Sequence, residues 1–316
     1  MGYIVRRFLA TLPVMAVVAV VVFLLIHLSP GDPAALIAGD LATAEDIAKL
    51  RVALGLDLPL WQQFGIWLSK LFTGDLGTSI FTQVPVSELL AQRIEPTLSI
   101  AALTMGLTLL VAVPLGTLAA HRAGTWIDRL VMLFAVLAFS VPVFLVGYLL
   151  VYAFAIQLPW FPVQGYARLA DGAGAWLRSL VLPCVNLALV YIALITRMTR
   201  ATVLEVLHED YIRTARAKGL PEGRVRWGHA FSNALAPVLT ILALSFGGLF
   251  SGALITESMF AWPGMGATIY QAIQTNDFNL ALVGLLLATF MTMAGNLLAD
   301  IALVAVDPRV SLTDRA

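Results

Sequence analysis

Residues 209–240, EDYIRTARAKGLPEGRVRWGHAFSNALAPVLT, open with a polar, basic segment in a chain whose remaining sequence is mostly apolar. Ala215 and Ala217 lead to Gly219 and then to Pro221, an order that predicts a short helix, a tight turn and a second helix start. Glycine supplies the backbone freedom that the turn needs, and proline suits the first position of the next helix. The pattern therefore indicates a helical loop between two apolar stretches.

The composition of the whole chain indicates a polytopic membrane protein of the all-α class. Hydrophobic residues make up 60% of the sequence and charged residues 12%, whereas soluble domains carry about 25% charged residues. A spanning helix needs about 20 largely apolar residues. The stretches that qualify are 8–28, 97–120, 130–158, 180–195, 234–256 and 280–306, which predicts six transmembrane helices, the fourth being the shortest.

The distribution of basic residues predicts the orientation. With the N-terminus inside, 13 Lys and Arg residues fall in cytoplasmic segments and the remaining six fall outside, out of 19 in total. Because an excess of basic residues in short loops marks the cytoplasmic side, both termini are expected in the cytoplasm. The predicted regions are a first transmembrane helix at 1–28, an outer segment at 29–97, a five-helix core at 98–306 containing the loop 196–233, and a cytoplasmic tail at 307–316.

The outer segment is too long for a simple connection and predicts three small helices. Thr43 followed by Asp46 is typical of a capping box at a helix start. Pro59 precedes an amphipathic helix that is expected to end near Gly74, and a third short helix is expected over residues 86–93. Together they would form an extracytoplasmic cap. Such a cap could contact a partner or could serve only as a platform at the membrane interface, and the residues leave both interpretations open.

Prolines and small residues recur inside the predicted spans. Pro142 removes a backbone hydrogen bond and is a candidate hinge, although prolines are common in membrane helices without that role. Gly248 and Ser251 belong to a run of small residues that would allow close approach of another helix. That contact could be a seam with a second subunit or ordinary packing within the bundle.

No sequence motif indicates catalysis by this chain. It has no GxxxxGK[ST] phosphate loop, no HExxH and no cluster of His or Cys at metal-ligand spacing. If the chain takes part in a process driven by ATP, the nucleotide must therefore bind another polypeptide. On one helix, Leu204, Leu207, Tyr211 and Ala215 would share a face, which favours docking of the 196–233 loop in a partner groove. A solvated loop that only obeys the charge rule is the alternative.

Four stretches of the sequence resemble one family. They are the YIRTARAKGL core, GLDLPLWQQFGIWLSKLFTGDLGTSI at 55–80, ESMFAWPGMG at 257–266, and the terminal Asp307, Pro308 and Arg309. The chain resembles permease subunits of the dipeptide/oligopeptide/nickel class of bacterial ABC importers, and the 196–233 loop resembles their EAA loop. In that register Gly219 matches the motif glycine, while Arg213 and Thr214 stand where Glu and the first Ala belong and Ser232 stands where Pro belongs.

The resemblance implies a type I ABC importer permease fold with six transmembrane helices and a small helical cap. It also implies that one set of residues contacts an ATPase: Tyr211, Arg213, Thr214, Ala215, Lys218 and Gly219. Substrate would pass between two permeases, and the candidate path or gate residues are Pro142, Ser245, Gly248, Ser251 and Glu257.

The partners implied by the resemblance are a homologous second permease, two ABC ATPase subunits that bind ATP and Mg²⁺, an extracytoplasmic substrate-binding protein and the lipid bilayer. This chain is expected to be no enzyme, to bind no cofactor, metal or nucleic acid, and to lie in the bacterial inner membrane. Small peptides are the expected substrate, with nickel, glutathione or opines as alternatives on the same scaffold. A secondary transporter without an ATPase is the alternative from another class, and it would show inverted repeats and ionisable groups at mid-membrane.

Overall fold

A computed structural model describes residues 2–28, 33–38, 42–53 and 55–306. In these ranges regular structure is helical, apart from an isolated bridge between Thr78 and Pro85. The predicted tail at 307–316 lies outside the described residues. The helices are α1 (Gly2–Leu28), α2 (Pro33–Ala38), α3 (Ala44–Ala53), α4 (Leu60–Thr73), α5 (Val86–His121), α6 (Trp126–Ser140), α7 (Val143–Leu150), α8 (Ala173–Leu207), α9 (Asp210–Ala217), α10 (Glu222–Arg224), α11 (Ser232–Met259), α12 (Met265–Gln274) and α13 (Phe278–Val306), with π-helical turns at Val151–Gln157 and Val225–Phe231.

Among the described residues, three helices are long and apolar enough to cross a membrane: α5, α8 and the Phe278–Leu298 part of α13. Two bent pairs reach that length together, so the number rises to five if each pair is one span. One pair joins α6 to Val143–Gln157 with a bend of 102°, and the other lies within α11. Helices are expected here because hydrocarbon offers no partner for backbone N–H and C=O groups. The chain is therefore an all-helical membrane protein.

Two predicted helical segments are parts of longer helices. The span expected at 180–195 is part of α8, a 35-residue helix that continues through Arg197 and Arg200. The short helix expected at 86–93 is the beginning of the 36-residue helix α5. Both errors have one cause. An apolar run ends at the first charged residues, but Arg and Glu are good helix formers and the backbone hydrogen bonding continues past them.

Several local predictions are confirmed. Asp46 accepts a hydrogen bond from the backbone N–H of Thr43 at 3.1 Å, and the Thr43 hydroxyl accepts one from the backbone N–H of Asp46 at 3.3 Å, which is a reciprocal capping box. Helix α4 ends at Gly74 with a φ of 80°.

The chain divides into two compact units. The first, unit A, comprises Arg6–Glu95 and Gly264–Met291. Its interior includes Val86 and Leu90 from α5 packed with Met265 and residues of α12 and α13. The buried carboxylate of Asp277 accepts hydrogen bonds from the Ser79 hydroxyl and from the backbone N–H of Leu280, so it fixes the start of α13 within this unit.

The second unit, unit B, comprises Met1–Val5, Pro96–Pro263 and Thr292–Ala316. Helix α8 is its centre and packs against α11, α6 and α7. Buried polar contacts accompany the apolar ones. The Asn186 amide donates to the Thr256 hydroxyl at 3.1 Å, and the Trp262 indole N–H donates to the Pro96 carbonyl at 3.3 Å. The predicted boundaries at 1–28, 29–97, 98–306 and 307–316 stay predictions.

The approach of α5 to α8 in unit B depends on Gly116. A Cβ atom built on Gly116 would lie 2.6 Å from the carbonyl oxygen of Thr196 and 2.6 Å from Cβ of Thr199. One of these atoms is backbone, so the helices would have to separate. Gly106 lies on the same helix, and a Cβ atom there would meet nothing within 4 Å.

We expect Gly116→Ala to destabilise the chain by about 1–3 kcal/mol, the usual cost of forcing extra volume into a packed interior. Thermal unfolding in detergent, followed by tryptophan fluorescence, measures the effect. Gly106→Ala is the matched control and should unfold at the wild-type temperature or slightly above it, because alanine is the better helix former. Equal unfolding temperatures for the two variants would contradict the close approach at Gly116.

Candidate functional site

Helix α9 lies at the end of the longest helix of unit B. Helix α8 ends at Leu207, the chain turns through His208 and Glu209, and α9 begins at Asp210. The turn is held by backbone hydrogen bonds, including one from the N–H of Glu209 to the carbonyl of Val206 at 3.1 Å. Only two residues therefore separate α9 from α8.

The end of α9 forms a Schellman motif. The N–H of Gly219 donates to the carbonyl of Arg216 at 2.9 Å, and the N–H of Leu220 donates to the carbonyl of Ala215 at 3.3 Å. Gly219 has a φ of +77°, the left-handed region in which a Cβ atom is strained. Pro221 then precedes α10. The predicted order of helix, glycine turn and proline is confirmed.

A small apolar core lies beneath α9. Ile212 and Ala215 from α9 pack with Val225 and Ala230 from the following π-helical turn, and all four are buried. Residues Val206, Leu207 and Leu220 pack against the same cluster. Full burial of an isoleucine side chain stabilises a structure by about 1.5–3 kcal/mol, so this core holds α9 in place against the end of α8.

This core corrects the predicted apolar face of the loop. Leu204 and Leu207 belong to α8, and the break at His208 separates them from α9, so no single helix carries them together with Tyr211 and Ala215. On α9 the apolar face is Ile212 and Ala215, while Tyr211 is exposed. The prediction failed because it continued one helical period across a break that the sequence marks only with a His-Glu-Asp run.

The outer face of α9 is polar and held by ion pairs. Glu222 accepts hydrogen bonds from Arg216 Nε at 2.9 Å and from Arg226 Nε at 3.2 Å, which ties α9 to the π-helical turn. A shorter-range pair joins Arg213 to Asp210 at 3.3 Å. The hydrogen bond from Arg216, with support from Arg226, holds the pKa of the Glu222 carboxyl below its usual value.

The structure divides the six residues predicted to contact an ATPase. Tyr211, Arg213, Thr214, Lys218 and Gly219 are exposed on α9 and at its end, where they are available to a partner. Ala215 is 8% exposed and packs in the core beneath α9. Ala215 therefore supports α9 from beneath and does not belong to the outer surface of the helix.

The five candidate path residues differ in their exposure, and their shared role in a path stays a prediction. Pro142 is exposed at the bend between α6 and α7, and Gly248 is exposed on α11. Ser245 is buried and its hydroxyl donates to the carbonyl of Ile241 at 2.8 Å, and Glu257 is buried near the end of α11. Ser251 lies on α11, but its side chain lies outside the described part of the chain.

An ion pair that the sequence did not reveal joins α6 to α8. Arg200 donates from Nε to Asp128 Oδ1 at 2.6 Å and from Nη2 to Asp128 Oδ2 at 2.7 Å. The backbone N–H of Gly124 also donates to Asp128 Oδ2 at 2.9 Å. The only sequence signal is an acidic residue in the first turn of an apolar helix, and such a residue does not name its partner.

An all-helical membrane protein with an exposed basic helix directly after a long central helix has the features of a transport-system membrane subunit. Sequence comparison supports this class. Residues 112–312 match the family model "binding-protein-dependent transport system inner membrane component", and residues 1–101 match the model of the N-terminal region of such membrane components. The chain belongs to the family of inner membrane components of binding-protein-dependent transport systems, and it is a multi-pass inner membrane protein that is not itself catalytic.

Individual relatives match along nearly their whole length. A protein of Sinorhizobium fredii, named a probable peptide ABC transporter permease, is 46% identical over 98% of each chain. A protein of Brucella abortus that carries the name of a peptide transport system permease is 44% identical over 97% of this chain and 98% of the relative. A glutathione transport system permease of Escherichia coli is 37% identical over 98% of this chain and 99% of the relative.

The Glu222 bridge predicts a measurable effect on the loop. The pKa of Glu222 is lowered in the folded loop. The contribution of the Glu222 carboxylate to the stability of the loop is therefore complete above the ordinary pKa of glutamate, and it is lost as the pH falls through the lowered pKa. Glu222→Gln should mimic that loss at neutral pH, so trypsin should cleave after Arg216 and Lys218 faster than in the wild type. The measurement is the time course of tryptic fragments from detergent-solubilised protein.

The matched control for this measurement is Glu209→Gln. Glu209 stands at the start of α9, and its side chain makes no capping hydrogen bond there. This variant removes the same charge from the same loop and should be cleaved at the wild-type rate. If both variants are cleaved equally fast, then the Glu222 bridge does not hold the loop.

Proposed function

We propose that this chain is the permease subunit of an ABC importer that moves small peptides across the inner membrane, driven by ATP hydrolysed on separate subunits. The observation that carries the coupling role is the exposed face of α9 at the end of α8. The family match supports the transport role, and the names of relatives at 44–46% identity support the peptide substrate.

In this proposal the chain crosses the membrane six times, with both termini in the cytoplasm. The spans are α1, α5, the bent α6–α7 pair with its π-helical end, α8, α11 and α13. The positive-inside rule supports this orientation, because the basic residues of α9 and its turn then lie on the cytoplasmic side. Helices α2, α3 and α4 belong to the predicted extracytoplasmic cap.

The coupling site consists of Tyr211, Arg213, Thr214, Lys218 and Gly219, with Ala215 beneath them. The exposed aromatic side chain of Tyr211 lies beside the basic groups of Arg213 and Lys218, and this combination suits a groove on a protein partner. The charges would fix the register of α9 in the groove, and the aromatic side chain would supply contact area. When the ATPases close on ATP, α9 would move with them and carry α8, because the Ile212 core and the two-residue turn leave little freedom between these helices. Hydrolysis would reset the arrangement.

The proposed assembly contains a homologous second permease, two ATPase subunits and an extracytoplasmic binding protein. ATP and Mg²⁺ bind to the ATPases, and this chain carries no cofactor, metal or nucleic acid of its own. The path lies between the two permeases, with Pro142, Ser245, Gly248, Ser251 and Glu257 as its candidate residues. The inward and outward states must differ by only a few kcal/mol for nucleotide and ligand to switch them.

The coupling role predicts that Gly219→Asp uncouples ATP hydrolysis from transport while the chain still inserts in the membrane. The new carboxylate adds negative charge at the end of the basic helix, and its Cβ atom is strained at a φ of +77°. The experiment purifies the tagged chain with its partners in mild detergent, identifies the partners by mass spectrometry, and measures uptake in liposomes.

Two controls separate charge from strain. Gly223→Asp places the same charge four residues away, at an exposed glycine whose added Cβ atom would meet nothing within 4 Å. Gly219→Asn keeps the size of the side chain without its charge, and asparagine tolerates left-handed backbone better than most residues. We expect both controls to retain an ATPase. Normal uptake by Gly219→Asp would refute the coupling assignment, and recovery of the chain alone with transport in ATP-free liposomes would favour a secondary transporter.

The substrate class needs its own test, because the relative at 37% identity is named for glutathione. We expect di- and oligopeptides, delivered by the binding protein, to stimulate ATP hydrolysis of the reconstituted complex and to be taken up. Glutathione, an opine and Ni²⁺ are measured alongside at equal concentrations. Stimulation by one of these without stimulation by peptides would transfer the assignment to that substrate and leave the coupling mechanism unaffected.

A further inference from the structure

The ion pair between Asp128 and Arg200 has an unusually defined geometry. Both nitrogen–oxygen distances are below 2.8 Å, and each carboxylate oxygen binds a different guanidinium nitrogen. The Asp128 side chain is 6% exposed and the Arg200 side chain is 28% exposed. The N–H of Gly124 fixes the carboxylate from a third direction. Two parallel charge-assisted hydrogen bonds restrict both distance and orientation, as a single contact does not.

The position of the pair connects the candidate coupling site with the bend in the chain. Arg200 lies about seven residues, or about 10 Å, before the end of α8 at Leu207, where the turn to α9 begins. Asp128 lies in the first turn of α6. The other end of α6 is Ser140, which is followed by the 102° bend to Val143–Gln157. The ion pair thus joins α8, which leads to α9, to the first turn of α6. The opposite end of α6 is followed by the bend.

Apolar packing between α6 and α8 would not supply the same constraint. Asp128 and Ala135 are the buried residues of α6, while most of its leucine, valine and phenylalanine side chains are exposed, so few apolar side chains interlock with α8. Apolar contacts alone allow one helix to slide or rotate past another at small cost. Stability alone is a poor account of the pair, since well-packed apolar residues often replace a buried ion pair without loss of stability. What the pair adds is a fixed register between two helices.

We propose that Asp128 and Arg200 are positioning residues that make the start of α6 follow α8 when α9 is displaced, so that the movement reaches the bend at Pro142. This inference rests on the proposed coupling function of α9. In this proposal the ion pair transmits the displacement of α9, which begins at the cytoplasmic contact, to the membrane-spanning helices. Arg197 lies on the same helix with its guanidinium 6.0 Å from the Phe139 ring, so α6 and α8 also meet near the far end of α6.

The test uses the complete importer, with its ATPases, second permease and binding protein, reconstituted in liposomes. Asp128→Asn keeps the shape of the side chain and removes its charge. We expect this variant to bind the ATPase and hydrolyse ATP at the wild-type rate, while the number of substrate molecules taken up per ATP falls at least about fivefold, the lower end of typical coupling effects. Arg129→Gln removes the exposed neighbouring charge and should leave this ratio unchanged.

Further variants keep the proposal falsifiable if Asp128→Asn assembles poorly. Arg200→Lys retains the positive charge but cannot present two fixed donors to one carboxylate, so the same fall in uptake per ATP is expected. The double variant that exchanges the two residues, Asp128→Arg with Arg200→Asp, should recover part of the substrate uptake per ATP hydrolysed. A role limited to stability would lower hydrolysis and uptake together, in proportion to the amount of assembled complex.

The outcomes separate this proposal from the function on which it rests. A wild-type ratio of uptake to hydrolysis in Asp128→Asn and Arg200→Lys would overturn the positioning role, with the coupling function of α9 intact. Proportional loss of both activities would also overturn it. If the wild-type chain binds no ATPase and shows no ATP-dependent uptake, the proposed function itself falls, and the role of the pair falls with it.

Discussion

The need to pair every backbone N–H and C=O group without help from water governs this structure. A membrane offers no hydrogen-bonding partner to an open strand or an irregular loop, so the chain is helical wherever it can cross. Breaks in the helices are therefore costly and need support from neighbouring groups. In unit B such breaks occur at Ser140–Pro142 and after Met259, and side-chain contacts surround the second of them.

The break after Met259 shows how such support is built. Trp262 is buried, donates its indole N–H to the Pro96 carbonyl, and meets the Tyr166 ring edge-on with 4.6 Å between ring centroids. Backbone hydrogen bonds from Phe260 and Trp262 to Thr256 and Glu257 complete the turn. Trp262 is thus anchored within unit B.

Sequence reasoning succeeded where one segment determines its own structure. The capping box of Thr43 and Asp46, the end of α4 at Gly74 and the turn at Gly219 depend on residues within a few positions of one another. It failed where the outcome depends on distant packing. The partner of Asp128 cannot be inferred from periodicity, because it lies on another helix.

The burial of Ala215 changes how the small residues of the loop after α8 are understood. If they contacted a partner directly, Ala215 would lie on the outer face of α9, but it lies in the core with Ile212 and Val225. Its carbonyl also accepts the hydrogen bond from Leu220 that closes the helix. A larger side chain there would push α9 away from the end of α8 and misplace Tyr211 and Lys218 together.

Ala215 therefore determines how closely α9 packs on the core beneath it, and Gly219, four residues later, determines where the helix ends. In the proposed coupling role, the specificity of the contact would come from the exposed residues between and beside them, which include Arg213 and Thr214 at the positions of the Glu and first Ala of the motif.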